Sequence, residues 1–323
     1  MDTSVNLWKL RLSMAGTVAI IIGVSTLGFT LFMSLLGGFN LVSLIGLVTI
    51  FNIVQWLLAP YLINALYGVR RLKEKEHPEL QRIVEELSQK SGIRTPKLMV
   101  SNIPIPNAFA YGSPLAGTRV AVTRGLLKEL EPEEVEAVLG HELGHLRHRD
   151  VQIMMFVSFL PSLFYMLARS MLFSSYYGDR DRRGSGALAL IGSVSMLVYF
   201  FLLMLTLSLS RLREYYADQH SASVVGDGAR KLSEGLAKIS SSTWRMQKAS
   251  RQRMAVSGFK TLFIADPDKA GQDTADLYQA RHGGPDEDLV RSILRRRITR
   301  FDRFMELFST HPNIVKRLRA LKS

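Results

Sequence analysis

The residues best equipped for chemistry are His141-Glu142-Leu143-Gly144-His145, two histidines four positions apart with a glutamate beside the first. On a helix that spacing is slightly more than one turn, so both imidazoles leave the same face and can grip one metal ion. Glu142 then sits next to the metal without having to bind it. There it can take a proton from water at the metal and pass it to a leaving amine. The chain has no cysteine, so a metal must be held by His, Asp or Glu, and disulfides and a thiol nucleophile are excluded. Two imidazoles without thiolates point to zinc, one ion per chain, with three protein ligands and an open fourth position. A surface helix with two exposed histidines would show the same spacing, so the motif needs a third ligand.

One source of that ligand is a histidine six residues beyond the second, after a glycine. Here those positions hold Val151 and His148, so this source fails. The other common source is a glutamate on a later helix. Glu214-Tyr215-Tyr216-Ala217-Asp218 offers Glu and Asp on one helix face. Glu214 could bind the metal while Asp218 accepts a hydrogen bond from a ligating imidazole and fixes its tautomer. Glu-x-x-x-Asp is common on surface helices, so its location has to carry the argument.

Hydropathy supplies that location. The chain has 323 residues, 47% of them hydrophobic, yet carries 41 Lys and Arg; its mean hydropathy is +0.10. Such a balance requires apolar and charged residues to be segregated. Residues 12–69, 58 in all, contain no Asp, Glu, Lys or Arg. One crossing needs about 20 residues, and Gly37-Gly38-Phe39-Asn40 near the middle reads as a tight turn. The run therefore divides into helices at 13–36 and 41–66, a transmembrane hairpin. A cleaved signal peptide would have a shorter apolar core of about 7–15 residues. Lys9 and Arg11 precede the hairpin and Arg70, Arg71, Lys73 and Lys75 follow it, which places both open ends in the cytosol. Two further stretches, 151–173 with Arg169 near one end and the charge-free 187–210, form a second predicted hairpin. The alternative for this pair is buried helices of a domain resting on the bilayer, because three arginines in the connecting loop 174–186 oppose an outside location.

The predicted spans divide the chain into a hairpin at 1–69, a cytosolic part at 70–150, a second hairpin at 151–210 and a second cytosolic part at 211–323. His145 lies six residues before the third apolar stretch and Glu214 four after the fourth. If those stretches form a hairpin, both motifs emerge on the same side of the membrane as neighbours. Around them, 78–92 reads as an amphipathic helix ending at a glycine, and 97–100, 107–111 and 119–123 as short strands. Glu131-Pro132-Glu133-Glu134 opens the catalytic helix well, since proline fits the first turn and carboxylates favour the positive end of the dipole. Residues 211–225 and 228–242 are further helix candidates, and 272–285 is a polar loop or insert.

At this point the sequence resembles the M48 family of membrane zinc proteases, most closely its HtpX-like branch. The resemblance rests on His141-Glu142-Leu143-Gly144-His145-Leu146-Arg147-His148-Arg149-Asp150 and Arg213-Glu214-Tyr215-Tyr216-Ala217-Asp218, with Asn107-Ala108-Phe109-Ala110 upstream and Thr310-His311-Pro312 and Arg317 near the C-terminus. It implies a mostly α membrane protein with four transmembrane helices and a cytosolic α+β zincin-like (gluzincin) domain. It further implies His141, His145 and Glu214 as zinc ligands, Glu142 as the base and Asp218 as a partner behind a ligand. The implied activity is endoproteolysis of misfolded or damaged membrane proteins, or of other unfolded polypeptides, in the cell membrane with the active site facing the cytoplasm. Asn107, Ala108, Phe109 and Ala110 are the candidate strand for holding an extended substrate by backbone hydrogen bonds. His311 could stabilise a developing oxyanion, or equally pack the C-terminal helix.

The net charge is +13. With no nucleic-acid-binding motif to accompany it, we read it as positive flanks of membrane segments and attraction to anionic lipid. The 291–303 cluster is a solvated or lipid-facing basic face. Two rival functions fit the same motifs. One is a processing peptidase for a single, for example prenylated, substrate, against which the short chain and four apolar segments argue. The other is a catalytically silent membrane scaffold.

Overall fold

A computed structural model describes residues 41–73, 76–177, 185–249 and 286–322. The first predicted span at 13–36, its turn at 37–40 and the polar segment 272–285 lie outside these residues. Three described helices are long and apolar enough to cross a membrane: α1 (Leu41–Tyr67), α5 (Asp150–Tyr177) and α6 (Ser185–Val224). Each exposes large apolar side chains, among them Leu58 and Leu62 on α1, Phe156 and Leu160 on α5, and Leu197 and Phe201 on α6. Outward apolar surface on this scale fits a lipid environment rather than water. Helices α5 and α6 lie side by side, with the Tyr165 and Tyr199 rings 5.2 Å apart. A Cβ at Gly192 would come within 2.8 Å of Leu172 Cγ.

The remaining elements form one α+β unit at the ends of these helices. They are β1 (Val69–Arg71), α2 (Pro78–Ser91), β2 (Lys97–Ser101), β3 (Ala108–Ser113), β4 (Gly117–Thr123), α3 (Arg124–Glu129), α4 (Pro132–Arg147), α7 (Gly228–Ala249), α8 (Asp286–Leu294), α9 (Arg300–Glu306) and α10 (Ile314–Lys322). The four-stranded sheet has the order β1-β2-β4-β3, with β2 and β4 parallel and the outer strands antiparallel to their neighbours. β3 is therefore an edge, and Ala108 and Ala110 pair with Val122 and Val120 on its inner side. Helix α4 crosses the middle of the unit. Its Val135, Val138, Leu139 and Leu143 join Val84 and Leu87 of α2, Val120 and Val122 of β4, Leu232 and Leu236 of α7, and Val315 and Leu318 of α10 in one apolar core. Each such side chain contributes about 1.5–3 kcal/mol on burial. Helix α1 docks onto β3 through the Ser113 hydroxyl, which donates to the Leu57 carbonyl at 3.1 Å, and through Tyr111 Oη, 2.7 Å from the Asn64 side-chain amide.

One expectation changes. The helix candidate 211–225 is not a separate element: α6 runs unbroken for 40 residues from the apolar segment through Glu214 and Asp218. Hydropathy changes there, but no proline or glycine interrupts the backbone, and a change of solvent does not end a helix. The strands and helices otherwise sit within a few residues of their predicted places. β1 and α3 were not expected: the first is a three-residue strand containing two arginines, the second a short helix capped by the Thr123 hydroxyl.

Candidate metal centre

Helix α4 starts where the sequence indicated. Pro132 occupies its first turn, and the Glu134 carboxylate accepts the Glu131 backbone N–H at 2.8 Å. Leu143 faces inward to the core while His141 and His145 face the other way, so the motif is fixed from behind by packing. The helix ends at His148, and Arg149 takes a φ of 56°, an unfavourable left-handed conformation for a residue with a Cβ. That turn starts α5 immediately and folds Asp150 back against His145.

Three groups then converge. His141 Nε2 and His145 Nε2 are 3.2 Å apart. Glu214 Oε2 lies 3.6 Å from the first and Glu214 Oε1 3.5 Å from the second. Ligands about 2.0–2.2 Å from a tetrahedral ion stand about 3.3–3.5 Å from one another, so this triangle fits a zinc-sized ion. The residues behind it agree. Asp150 Oδ2 is 2.6 Å from His145 Nδ1, and Asp218 Oδ1 is 2.9 Å from His141 Nδ1, which leaves both Nε2 lone pairs pointing at the common centre. Burial opposes charge on His145, yet Asp150, Glu214 and Glu142 outweigh it and push the imidazole up to about 9, so the field here favours a cation.

Arg317 closes the back of the site. It is buried, gives Asp218 a two-pronged contact (Nε–Oδ2 2.9 Å, Nη2–Oδ1 2.6 Å), and places Nη1 3.2 Å from Glu214 Oε2. One guanidinium thus balances two buried carboxylates from successive turns of α6, which would otherwise be costly to keep ionised. Arg213 pairs with Asp150 on the other flank. Glu142 is buried beside the triangle. Burial pushes its carboxyl above the usual range, while His141, His145 and the Ala110 N–H that it accepts act in the opposite direction. His311 stands on the far side with Nε2 3.5 Å from Glu214 Oε1 and Nδ1 2.9 Å from Thr310 Oγ1.

A cavity of about 610 Å³ opens on these groups. Its floor is His141, Glu142, His145 and Glu214; β3 supplies Ala108, Phe109 and Ala110; α1 and α5 supply Asn52, Trp56 and Met154. The structure therefore gathers His141, His145, Glu142, Glu214 and His311 on one cavity, with Asp218 behind them. Of the proposed strand, Ala108–Ala110 reach the wall, whereas Asn107 precedes β3, its backbone N–H held by Thr123 Oγ1 at 2.9 Å. His148 is exposed at the helix end and stacks against Tyr216 and His220, away from the metal-sized triangle. The sequence reading gave no role to Asp150, Arg213 or the wall residues of α1. Asp150 stands in the quoted motif, but nothing in the sequence signals the left-handed Arg149 that brings it home.

Gly140 and Gly144 are the contact points between α4 and α6. A Cβ at Gly144 would lie 3.0 Å from Ala217 Cα and 3.1 Å from His220 Cβ, and one at Gly140 3.0 Å from Val225 Cγ2. The Ser221 hydroxyl, donating to the Ala137 carbonyl at 2.6 Å, locks the same interface. Gly144→Ala is expected to push α6 away despite the better helix propensity of alanine, with a net loss of about 1–3 kcal/mol. Glu214 moves with α6, so metal affinity should fall as well. Thermal unfolding and a zinc titration of the variant measure both, and unchanged values would show that the interface tolerates a methyl group.

Comparison with known proteins agrees with this geometry. The profile of Peptidase family M48 matches residues 74–323. A protein named Protease HtpX homolog from Thermoplasma acidophilum is 38% identical over 287 residues, covering 87% of this chain and 85% of that protein. Another of the same name from Aeropyrum pernix is 36% identical over 316 residues, covering 96% and 94%. Among solved structures, that of S. mikatae Ste24p has a similar fold, with a TM-score of 0.60 at 17% identity over 99% of this chain and 67% of that one. With both the profile and full-length relatives in agreement, the chain belongs to peptidase family M48 and is a membrane metallopeptidase.

Proposed function

We propose that the chain is an integral membrane zinc endopeptidase acting on misfolded or damaged membrane proteins and other unfolded polypeptides at the cytosolic face of the cell membrane. In this reading residues 13–36 add a fourth transmembrane helix, and residues 70–150 and 211–323 are the cytosolic parts. The observation that carries it is the cavity itself: the His141, His145 and Glu214 triangle, with Glu142 beside it, faces β3, the edge strand among the described residues, and the walls of two apolar helices. When bound, zinc supplies Lewis acidity, polarising a peptide carbonyl and acidifying water. His141, His145 and Glu214 hold the ion, and Asp218 and Asp150 keep the imidazoles oriented. β3 pairs with an extended substrate segment and sets its carbonyl above the triangle. Glu142 accepts a proton from water and returns it to the departing amine. His311 stands where it can donate to the carbonyl oxygen as negative charge develops.

An edge strand reads backbone rather than side chains, which suits unfolded substrates of many sequences. A cavity reached past α1 and α5 suits substrates that are themselves in the membrane. Purified full-length protein in liposomes should cleave an unfolded membrane protein, lose that activity when a chelator strips its metal, and regain it on adding zinc. Undiminished cleavage by the stripped protein would sink the zinc reading. Cleavage of only one short peptide, with unfolded proteins spared, would favour a dedicated processing enzyme.

A further inference from the structure

Helix α9 and the corner after it carry an apolar surface that the proteolytic site does not use. Phe301, Phe304, Leu307 and Phe308 are 58%, 56%, 47% and 56% exposed, and the rings of Phe304 and Phe308 stack edge to face at 5.4 Å. Four large apolar side chains within eight residues are unusual on a surface meant for water. Close to them in the chain are Arg295, Arg297, Arg300 and Arg303, all exposed. Aromatic side chains flanked by arginines are the composition of a segment lying in a membrane interface, the rings among the acyl chains near the headgroups and the guanidiniums on lipid phosphates.

The depth of this corner is fixed by a second, independent contact. The apolar stretch of α6 ends at Ser210, and the next residue, Arg211, is its first charge. Arg211 Nη1 donates to the carbonyls of Glu306, Leu307 and Ser309 at 2.9, 3.3 and 2.8 Å. One guanidinium thereby holds three carbonyls at and just after the end of α9 and ties the corner to the point where α6 leaves its apolar segment. We propose that Phe301, Phe304, Leu307 and Phe308 insert into the interface of an anionic lipid bilayer, with Arg295, Arg297, Arg300 and Arg303 on its phosphates. The inserted corner runs through Ser309 and Thr310 directly to His311 on the cavity, so the bilayer surface helps to set where that histidine stands.

The inference rests on α6 crossing the bilayer, and the test separates the two. Because the chain has no cysteine, single spin labels can be placed by Phe304→Cys and Phe308→Cys in the full-length protein. Leu197→Cys on the exposed apolar face of α6 serves as the lipid reference, and Glu85→Cys on α2 as the water reference. In liposomes of phosphatidylcholine with phosphatidylglycerol, labels at 304 and 308 should collide with oxygen more than with a water-soluble nickel chelate, as the 197 label does and the 85 label does not. Quenching of a Phe308→Trp variant by brominated lipid, above that of the parent's own tryptophans, should agree without the bulk of a label. Nickel-accessible labels at 304 and 308 beside an oxygen-accessible 197 would overturn the insertion while leaving α6 in the membrane. Labels shielded from both reagents would overturn it too, since another part of the protein or a second copy would then cover the face. A nickel-accessible 197 label would remove the membrane crossing on which the inference stands.

Discussion

Glu142→Gln protein is expected to keep about one zinc per chain while its peptide-bond hydrolysis falls by about 10²–10⁴-fold, the range for loss of a positioned general base. The substitution changes almost nothing except proton affinity. Gln has the same length, and its amide oxygen can still accept the Ala110 N–H. Among the described residues the other nearby carboxylates are committed. Glu214 belongs to the triangle and faces Arg317, Asp218 is held by Arg317 and His141, and Asp150 by His145 and Arg213. The comparison needs metal content and turnover from the same preparations. A variant that cleaves as fast as the parent, with metal intact, removes Glu142 from the mechanism. One that loses metal and activity together makes Glu142 part of the metal's support instead.

The chemistry of this chain was more legible in its sequence than the scaffold was. His141, Glu142 and His145 are local: four-residue spacing on a helix fixes a shared face, whatever surrounds it. Glu214 and Asp218 were legible because two features agreed, a helical pair of carboxylates and its position just beyond an apolar stretch. Long apolar runs are equally readable, since length and hydropathy alone set a span. What escaped are contacts that depend on the path between elements. Arg317 is named by the family resemblance, but in its basic C-terminal stretch with Lys316, Arg319 and Lys322 nothing shows which carboxylates it meets. Its two partners are 99 and 103 positions away. Asp150 needed the positive φ of Arg149, a conformation that any sequence reading would place at glycine or asparagine first. The continuity of α6 escaped for a different reason: hydropathy reports the surroundings of a helix and is silent about where its hydrogen bonding stops.

That continuity also bears on the third ligand. Elemental analysis of detergent-purified Glu214→Ala protein is expected to find zinc reduced by more than about tenfold from the parent's one per chain, since only two of three protein ligands remain. Loss of the carboxylate removes a negative charge from a centre that Arg317 already approaches, so that guanidinium then repels an incoming cation without compensation. Asp218 cannot substitute. It is one turn further along the same rigid helix, its oxygens are held by Arg317, and it faces the Nδ1 side of His141 rather than Nε2. The fold should persist more nearly than the metal does, because Ala217, Ser221 and the glycines of α4 still hold α6 in place. Retained helical circular dichroism with lost zinc is thus the expected pair of results. Equal zinc in Glu214→Ala and parent would mean that the ion sits on His141 and His145 with a ligand from elsewhere, and the triangle would have to be rebuilt around a different residue.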